Sequence, residues 1–303
     1  MGELRHDVDP AESPLAGAPV AAPPAPGCSV EATRPNPAEI ALLAERLAPG
    51  TEIYLTALPG RTPDDHLNRA AALARAGLTP VPHLAARRIA SRADLAAFLD
   101  AARRQAAVRQ LLLVAGDRNA PLGPYADSEA LLADIVSAGH GFVRVGFAGF
   151  PDGHPHAGAA DDTLALLRRK LSRARDGGLE PFVITQFGFD AAPIVRWLTH
   201  LRDAGIDCPV RIGIAGPASP ATLARFAAKC GVRQPGGGLL ARLKLARTLL
   251  AGDPGLLLDA LDRAGVADGA FGPVGYHVFT FGGLARTLDW LAARTAAPHR
   301  QFG

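Results

Sequence analysis

A rhythm constrains this chain more than any single residue does. From Cys28 onward, a short apolar run, a polar loop and an amphipathic segment rich in Ala, Leu and Arg follow one another eight times. The apolar runs are Cys28–Ala32, Glu52–Leu58, Thr79–Ala85, Gln110–Val114, Phe142–Phe147, Phe182–Phe187, Val210–Ala215 and Tyr276–Phe281. Runs this short and continuous predict strands buried on both faces, as in a parallel sheet. The segments between them predict helices over Pro37–Leu47, Pro63–Ala76, 92–105, Ser128–Ala138, Ala160–Arg175, Ala192–Ala204 and Pro220–Cys230, with Leu284–Ala293 closing the chain. Asn36, Thr62 and Ser91 stand where N-caps belong.

Eight strand–helix units predict an α/β fold, a (β/α)8 TIM barrel. The rival, an open doubly wound sheet, needs a Gly-rich phosphate turn after its first strand. Here Glu31-Ala-Thr-Arg-Pro35 follows instead. The stretch Arg233–Gly269 interrupts the rhythm, and Leu239–Leu250 and Leu256–Ala264 predict two extra helices before the last strand. Residues 10–27 are rich in Pro, Ala and Gly, so 1–27 is expected to be a flexible arm and 28–303 a single catalytic barrel.

Composition limits the partners. Hydrophobic residues make up 48% of 303, enough for a sizeable core, and the net charge is only +3. That bias is too weak for nucleic acid or a membrane surface. No apolar run approaches the roughly 18 residues of a membrane helix. Met1–Asp9 lacks the apolar stretch of a signal peptide. Three cysteines, Cys28, Cys208 and Cys230, form neither a disulfide framework nor a zinc spacing. A cytoplasmic protein without a metal is the expectation; the oligomeric state stays open, a homo-oligomer included.

Barrel enzymes carry their sites at the C-terminal ends of the strands. The polar groups expected there are Glu31, Thr56, His83, Asp117, His154, Gln186 and Thr280, with Phe150 beside them. A lone Asp after a strand is more often a turn residue, and a lone His more often structural. Several together on one rim are hard to explain as packing. Glu31 is the least ordinary, because a carboxylate at the barrel core must be solvated, paired or functional.

These residues carry a resemblance. Ser-Val-Glu-Ala-Thr-Arg-Pro at 29–35 is similar to the first strand of methylenetetrahydrofolate reductases. Pro-His-Leu at 82–84, Gly-Asp at 116–117, Tyr-Ala at 125–126, Phe-Pro-Asp-Gly-His-Pro at 150–155, Arg-Arg-Lys at 168–170 and Ile-Thr-Gln-Phe-Gly-Phe-Asp at 184–190 match that family in order and spacing. The resemblance implies a folate substrate and hydride transfer between 5,10-methylenetetrahydrofolate and 5-methyltetrahydrofolate. It implies FAD as the redox group and NADH or NADPH as reductant. Position by position, Glu31 matches the general acid that protonates folate N10. Asp117 matches the acid between flavin and pterin, and Gln186 the amide that reads the pterin edge. Thr56, His83, Tyr125, Ala126, Phe150 and His154 match positions around the flavin. Arg169 and Lys170 match cations near its phosphates and are expected at the rim-side start of a helix, where a phosphate is well received. Phe281 is expected to touch substrate.

The departures from the family cluster around the flavin. Ala115 stands where the family has Arg, and Thr163 and Leu166 where it has Asp and Asn. Phe281-Gly282-Gly283 replaces Leu-Asn-Arg after the eighth strand, and 213–217 is altered too. FAD is therefore expected to bind weakly, differently or not at all. The glycine pair is expected to leave room for another planar group, such as a nicotinamide. Two further readings remain: a folate-binding accessory protein without redox activity, and a reductase run in the oxidative direction.

Overall fold

A strand enclosed on both faces must place alternate side chains into two different interiors. The computed structural model describes residues 27–57, 63–139, 141–153, 160–230 and 253–295, and it shows both interiors. The strands are β1 (Ser29–Glu31), β2 (Glu52–Leu55), β3 (Thr79–Ala85), β4 (Gln110–Val114), β5 (Arg144–Gly149), β6 (Glu180–Gly188), β7 (Val210–Ala215) and β8 (Val274–Phe279). They pair in parallel in sequence order, and β8 returns to β1 to close a barrel.

The helices outside are α1 (Pro37–Arg46), α2 (Pro63–Arg75), α3 (Arg92–Ala106), α4 (Ser128–Ala138), α5 (Ala160–Asp176), α6 (Ala191–Asp203), α7 (Pro220–Lys229), α8 (Gly255–Arg263) and α9 (Leu284–Thr295). Helix α1 starts at a reciprocal capping box. The Asn36 side chain accepts from the Glu39 amide at 3.0 Å, and the Glu39 carboxylate accepts from the Asn36 amide at 2.9 Å. Ser91 caps α3 as expected. Helix α8 is the second of the two extra helices. The first, Leu239–Leu250, lies outside the described residues, as do Thr62, His154 and residues 1–26 of the arm.

Outward side chains such as Ile53, Leu84, Leu113, Phe147, Ile212 and Val278 pack with helix residues such as Leu43, Leu99, Leu171 and Leu288 in one apolar layer. Inside the barrel, Tyr54, Val81, Leu112, Phe182 and Ile184 form a separate cluster. Gly146 makes room for it: a Cβ there would lie 2.3 Å from the Phe182 ring.

Beneath that cluster, the N-terminal end of the barrel is closed by charge. Glu52, with its side chain 1% exposed, meets Arg144 Nη1 and Arg211 Nη2, each at 2.9 Å. The Tyr54 hydroxyl donates to Glu52 at 2.9 Å, and Arg144 also donates to Gln110 Oε1 at 3.2 Å. Arg211 Nη1 reaches up the chain to the carbonyl of Gly27 at 2.6 Å.

Two strand boundaries are displaced from the sequence expectation. The fifth and eighth strands begin at Arg144 and Val274 rather than at Phe142 and Tyr276. Each is shifted by two residues relative to its apolar run, β5 toward the C-terminus and β8 toward the N-terminus. Among the described residues, no helix is long and apolar enough to cross a membrane.

Candidate active site

Strand alternation turns Glu31 inward at the C-terminal end of β1, where the barrel opens. Its side chain is 12% exposed. Burial raises its pKa from the ordinary 4.5 to about 7, because a desolvated carboxylate is costly. The Thr56 hydroxyl, one step beyond β2, pulls in the opposite direction. Its Oγ1 is buried without a hydrogen-bond partner among the described residues. His83 on β3 places Nε2 3.9 Å from Glu31 Oε2, also without a hydrogen-bond partner. Burial lowers the His83 pKa to about 3, so the ring is neutral. Thr280, just past β8, donates from Oγ1 to the Glu31 carbonyl at 2.9 Å and fixes the backbone that carries the acid. Glu31, Thr56, His83 and Thr280 are thus brought together.

The other expected residues divide. Gln186 lies on β6, and its amide donates to the carbonyl of Cys230 at the end of α7. Phe281 belongs to an aromatic group on the β6–β8 side. It stacks on Phe226 at 4.2 Å, lies 5.4 Å from Phe279 in near-parallel orientation, and meets Phe187 edge-on at 4.7 Å. The Phe281 and Gln186 side therefore offers ring faces and an amide, a pairing suited to a planar heterocycle.

The two glycines beside Phe281 differ: a Cβ on Gly283 would meet nothing within 4 Å, whereas Gly282 is packed tightly. A Cβ on Gly282 would lie 1.9 Å from the Pro217 carbonyl oxygen, so Gly282 lets the loop after β8 close on the loop after β7. The expected room is therefore not made at Gly282.

Asp117 stands on the rim after β4 with its side chain 60% exposed. Its carboxylate is held by Arg88, at 3.1 Å from Nε and 2.5 Å from Nη2. Tyr125 faces away from the mouth. Its hydroxyl donates to Asp134 on α4 at 2.6 Å, and Asp134 also pairs with Arg92 on α3 at 3.2 Å. The adjoining Ala126 contributes a carbonyl, which accepts from Arg87 Nε at 2.8 Å.

Arg169 and Lys170 are the tenth and eleventh residues of α5, at mid-helix rather than at its rim-side start. The helix N-terminus is therefore not the source of their attraction for anions. Arg169 is exposed and pairs with Glu129 at 3.3 Å. Lys170 turns inward, with Nζ 3.4 Å from Ser128 Oγ and 5.4 Å above the Phe147 ring. Burial lowers its pKa.

Lys170 and Phe150 share a cavity of about 890 Å³ between the ends of β4 and β5 and helices α4, α5 and α6. Ala115, Thr163 and Leu166 all lie in its wall, whereas the departures at 213–217 and 281–283 lie elsewhere on the mouth. Arg87, which sequence reasoning passed over, lines the same cavity. Its amide donates to the Ala115 carbonyl at 3.0 Å, which sets a guanidinium beside the position where the family has its own. The fit to a flavin is partial. Volume, the aromatic rings of Phe150 and Trp197 and the cations Arg87, Lys170 and Arg196 suit it, whereas Ala115 and Leu166 offer no side-chain hydrogen bond. Arg87 and Arg88 occupy a short turn after β3; a cation next to a strand end was the only sequence signal they gave.

Comparison with known proteins bears on the family and the fold. The methylenetetrahydrofolate reductase family pattern matches residues 60–247, more than half of the chain. Methylenetetrahydrofolate reductase 2 of Saccharomyces cerevisiae is 31% identical over 94 residues, 30% of this chain and 15% of that protein. Methylenetetrahydrofolate reductase 1 of Schizosaccharomyces pombe is 30% identical over 70 residues, 23% of this chain and 11% of that protein. The matched stretch is thus a small part of each curated relative. An uncharacterized protein from Clostridium thermocellum, described as binding two copies of 5-methyl-5,6,7,8-tetrahydrofolic acid, superposes with a TM-score of 0.58 at 11% identity. The match covers 88% of this chain and 93% of that one, and at this identity it is a likeness of fold.

Proposed function

The chain belongs to the methylenetetrahydrofolate reductase family, and from that premise we propose that it interconverts 5,10-methylenetetrahydrofolate and 5-methyltetrahydrofolate by hydride transfer, with Glu31 as the general acid. The observation that carries this reading is the buried carboxyl at the barrel mouth, whose pKa of about 7 keeps a transferable proton at neutral pH. Folate N10 is a poor leaving group until it is protonated. Glu31 supplies that proton, the five-membered ring opens, and the one-carbon unit becomes an N5 iminium that accepts hydride. Gln186 reads the pterin edge, and the aromatic group around Phe281 orients the substrate's rings.

FAD, where bound, supplies the hydride and is itself reduced by NADH or NADPH. Lys170, Arg87, Phe150 and Thr163 would hold it in the cavity beside β4 and β5. The sparse free cysteines accord with a cytoplasmic setting.

Glu31→Gln tests the reading. The amide keeps the shape and cannot donate the proton, so folate turnover is expected to fall by about 10²–10⁴ fold. Flavin reduction by NADH or NADPH, followed by stopped flow, is expected to stay within a few fold. Normal folate turnover in this variant would remove Glu31 from the mechanism.

A second reading, a folate-binding protein without redox activity, is favoured by Ala115 and Leu166 in the cavity wall. The purified protein discriminates between the two. A flavin absorption band, or turnover with NADH or NADPH, supports the enzyme. Binding of 5-methyltetrahydrofolate with neither supports the alternative. The oxidative direction uses the same residues and is tested by supplying 5-methyltetrahydrofolate with an electron acceptor.

A further inference from the structure

Five buried side-chain polar atoms lack a hydrogen-bond partner among the described residues, and they are not scattered. Four of them, Thr56 Oγ1, His66 Nε2, Arg69 Nε and His83 Nε2, lie on the β2 end, α2 and β3, on the side of the barrel where Glu31 stands. An unmatched buried polar atom costs roughly 1–3 kcal/mol, and such atoms in a native fold call for an explanation. We propose that His83 is a positioning residue for the acid: its imidazole closes on Glu31 as a hydrogen-bond donor once the carboxyl has given up its proton. This rests on the reading of Glu31 as the general acid, and it gives His83 a task other than the flavin contact implied by family resemblance.

The geometry is poised for this. At 3.9 Å, Nε2 and Oε2 are too far apart to be bonded, yet a small rotation of either side chain brings them together. The groups facing the pair carry no competing charge. From β3, His83 is neutral. From β8, His277 has its pKa pushed well below the ordinary value, first by burial and then by His83 and Arg211. From α2, His66 is lowered by burial to about 4. From β2, burial pushes the Tyr54 phenol up, and Thr56 contributes only a hydroxyl. The nearest arginine pair inside the barrel, Arg144 and Arg211, is already bound to Glu52 at the opposite end.

Among the described residues, a carboxylate formed in this place therefore has two neutral donors within reach, Thr56 Oγ1 and His83 Nε2, while the α2 cation Arg69 is held by Asp65 and the Pro35 carbonyl. A carboxylic acid offers the Nε2–H only its carbonyl oxygen, a weaker acceptor than a carboxylate oxygen. The arrangement favours the state that follows proton delivery and selects the Nε2–H tautomer of His83. Donors aligned on charge that develops during a reaction act there without reorganisation cost.

The test reads Glu31 itself, without turnover. Infrared difference titration follows the carboxyl C=O stretch of the full-length protein, and Glu31→Gln identifies the band by its loss. In the native protein the midpoint lies near 7. His83→Gln carries an amide nitrogen to the place of Nε2 and is expected to keep the midpoint within a few tenths of a unit. His83→Leu removes the donor and is expected to raise the midpoint by about one unit. If His83→Leu does not fold, His83→Asn, whose amide reaches only to the place of Nδ1, is expected to show the same rise. An unchanged or lowered midpoint in the Leu or Asn variant overturns the proposal. Loss of the native midpoint in His83→Gln does the same. Because the readout is equilibrium protonation, the proposal stands or falls apart from whether Glu31→Gln loses folate turnover.

Discussion

Three histidines stand in or beside the barrel interior, and burial strips each of its proton: His66 with a pKa of about 4, His83 with about 3, and His277 well below the ordinary 6.5. The unfolded chain binds protons at these sites near pH 6.5, and the folded chain does not. Their contribution to stability is therefore intact above about 6.5 and is lost as pH falls toward the folded values, by up to about 1.4 kcal/mol per pH unit for each fully buried ring. Glu31 works in the opposite sense. Its folded pKa of about 7 exceeds the ordinary 4.5, so its favourable share is present below 4.5 and disappears as pH rises through 7. Urea unfolding between pH 8 and pH 5 should show the decline on the acid side. His277→Gln should flatten it, because the amide can still pair with Ser29, which meets His277 Nδ1 at 2.9 Å. An unchanged slope would mean that His277 protonates equally in both states.

At the level of elements, loop closure decides the shape of the mouth. Gly282→Ala forces a methyl group into the Pro217 carbonyl, and the loops after β7 and β8 must part. The expected cost is about 1–3 kcal/mol, together with a looser Phe226–Phe281 stack. Denaturant midpoints check the first and near-ultraviolet circular dichroism the second; a variant of native stability would mean that these loops yield freely. The elements themselves were largely legible. β3, β4 and β7 begin and end at the boundaries of their apolar runs, because each run stops where solvent or a turn begins. β8 starts before its run because Gly275 gives no apolar signal, whereas nothing in the structure explains the later start of β5. The rim positions of Glu31, His83 and Gln186 were legible from strand ends alone. Other assignments depended on which way a side chain turns. Tyr125 follows a loop, so no strand alternation fixes its direction, and its hydroxyl finds Asp134 in the helix layer. Arg88 escaped notice because its importance lies in a partner 29 residues away, Asp117.

For the molecule as a whole, one buried carboxylate organises the closed end of the barrel. Glu52 bonds to Arg144 and Arg211 and accepts from Tyr54, so β2, β5 and β7 meet at a single side chain. Glu52→Gln leaves two guanidinium groups buried without a countercharge, and breaking a buried pair in this way costs about 3–5 kcal/mol. Thermal melts should show that loss; a variant within about 1 kcal/mol of native would mean that water or Glu180, 3.9 Å from Arg144, takes over. The open end has its own weak line. The ring is sewn shut at its three-residue first strand, which holds β2 by two register pairs and β8 by three: Ser29 with His277, Val30 with Val278 and Glu31 with Phe279. When such a seam breathes, it hydrates the carboxyl and relaxes its proton affinity toward that of an ordinary glutamate, so the acid's chemistry is on loan from the seam's closure. Native-state amide hydrogen exchange should find Val30 and Phe279 opening at lower free energy than Val183 and Ile184 of the nine-residue β6. Equal protection across those strands would show the seam to be as firm as the rest of the ring.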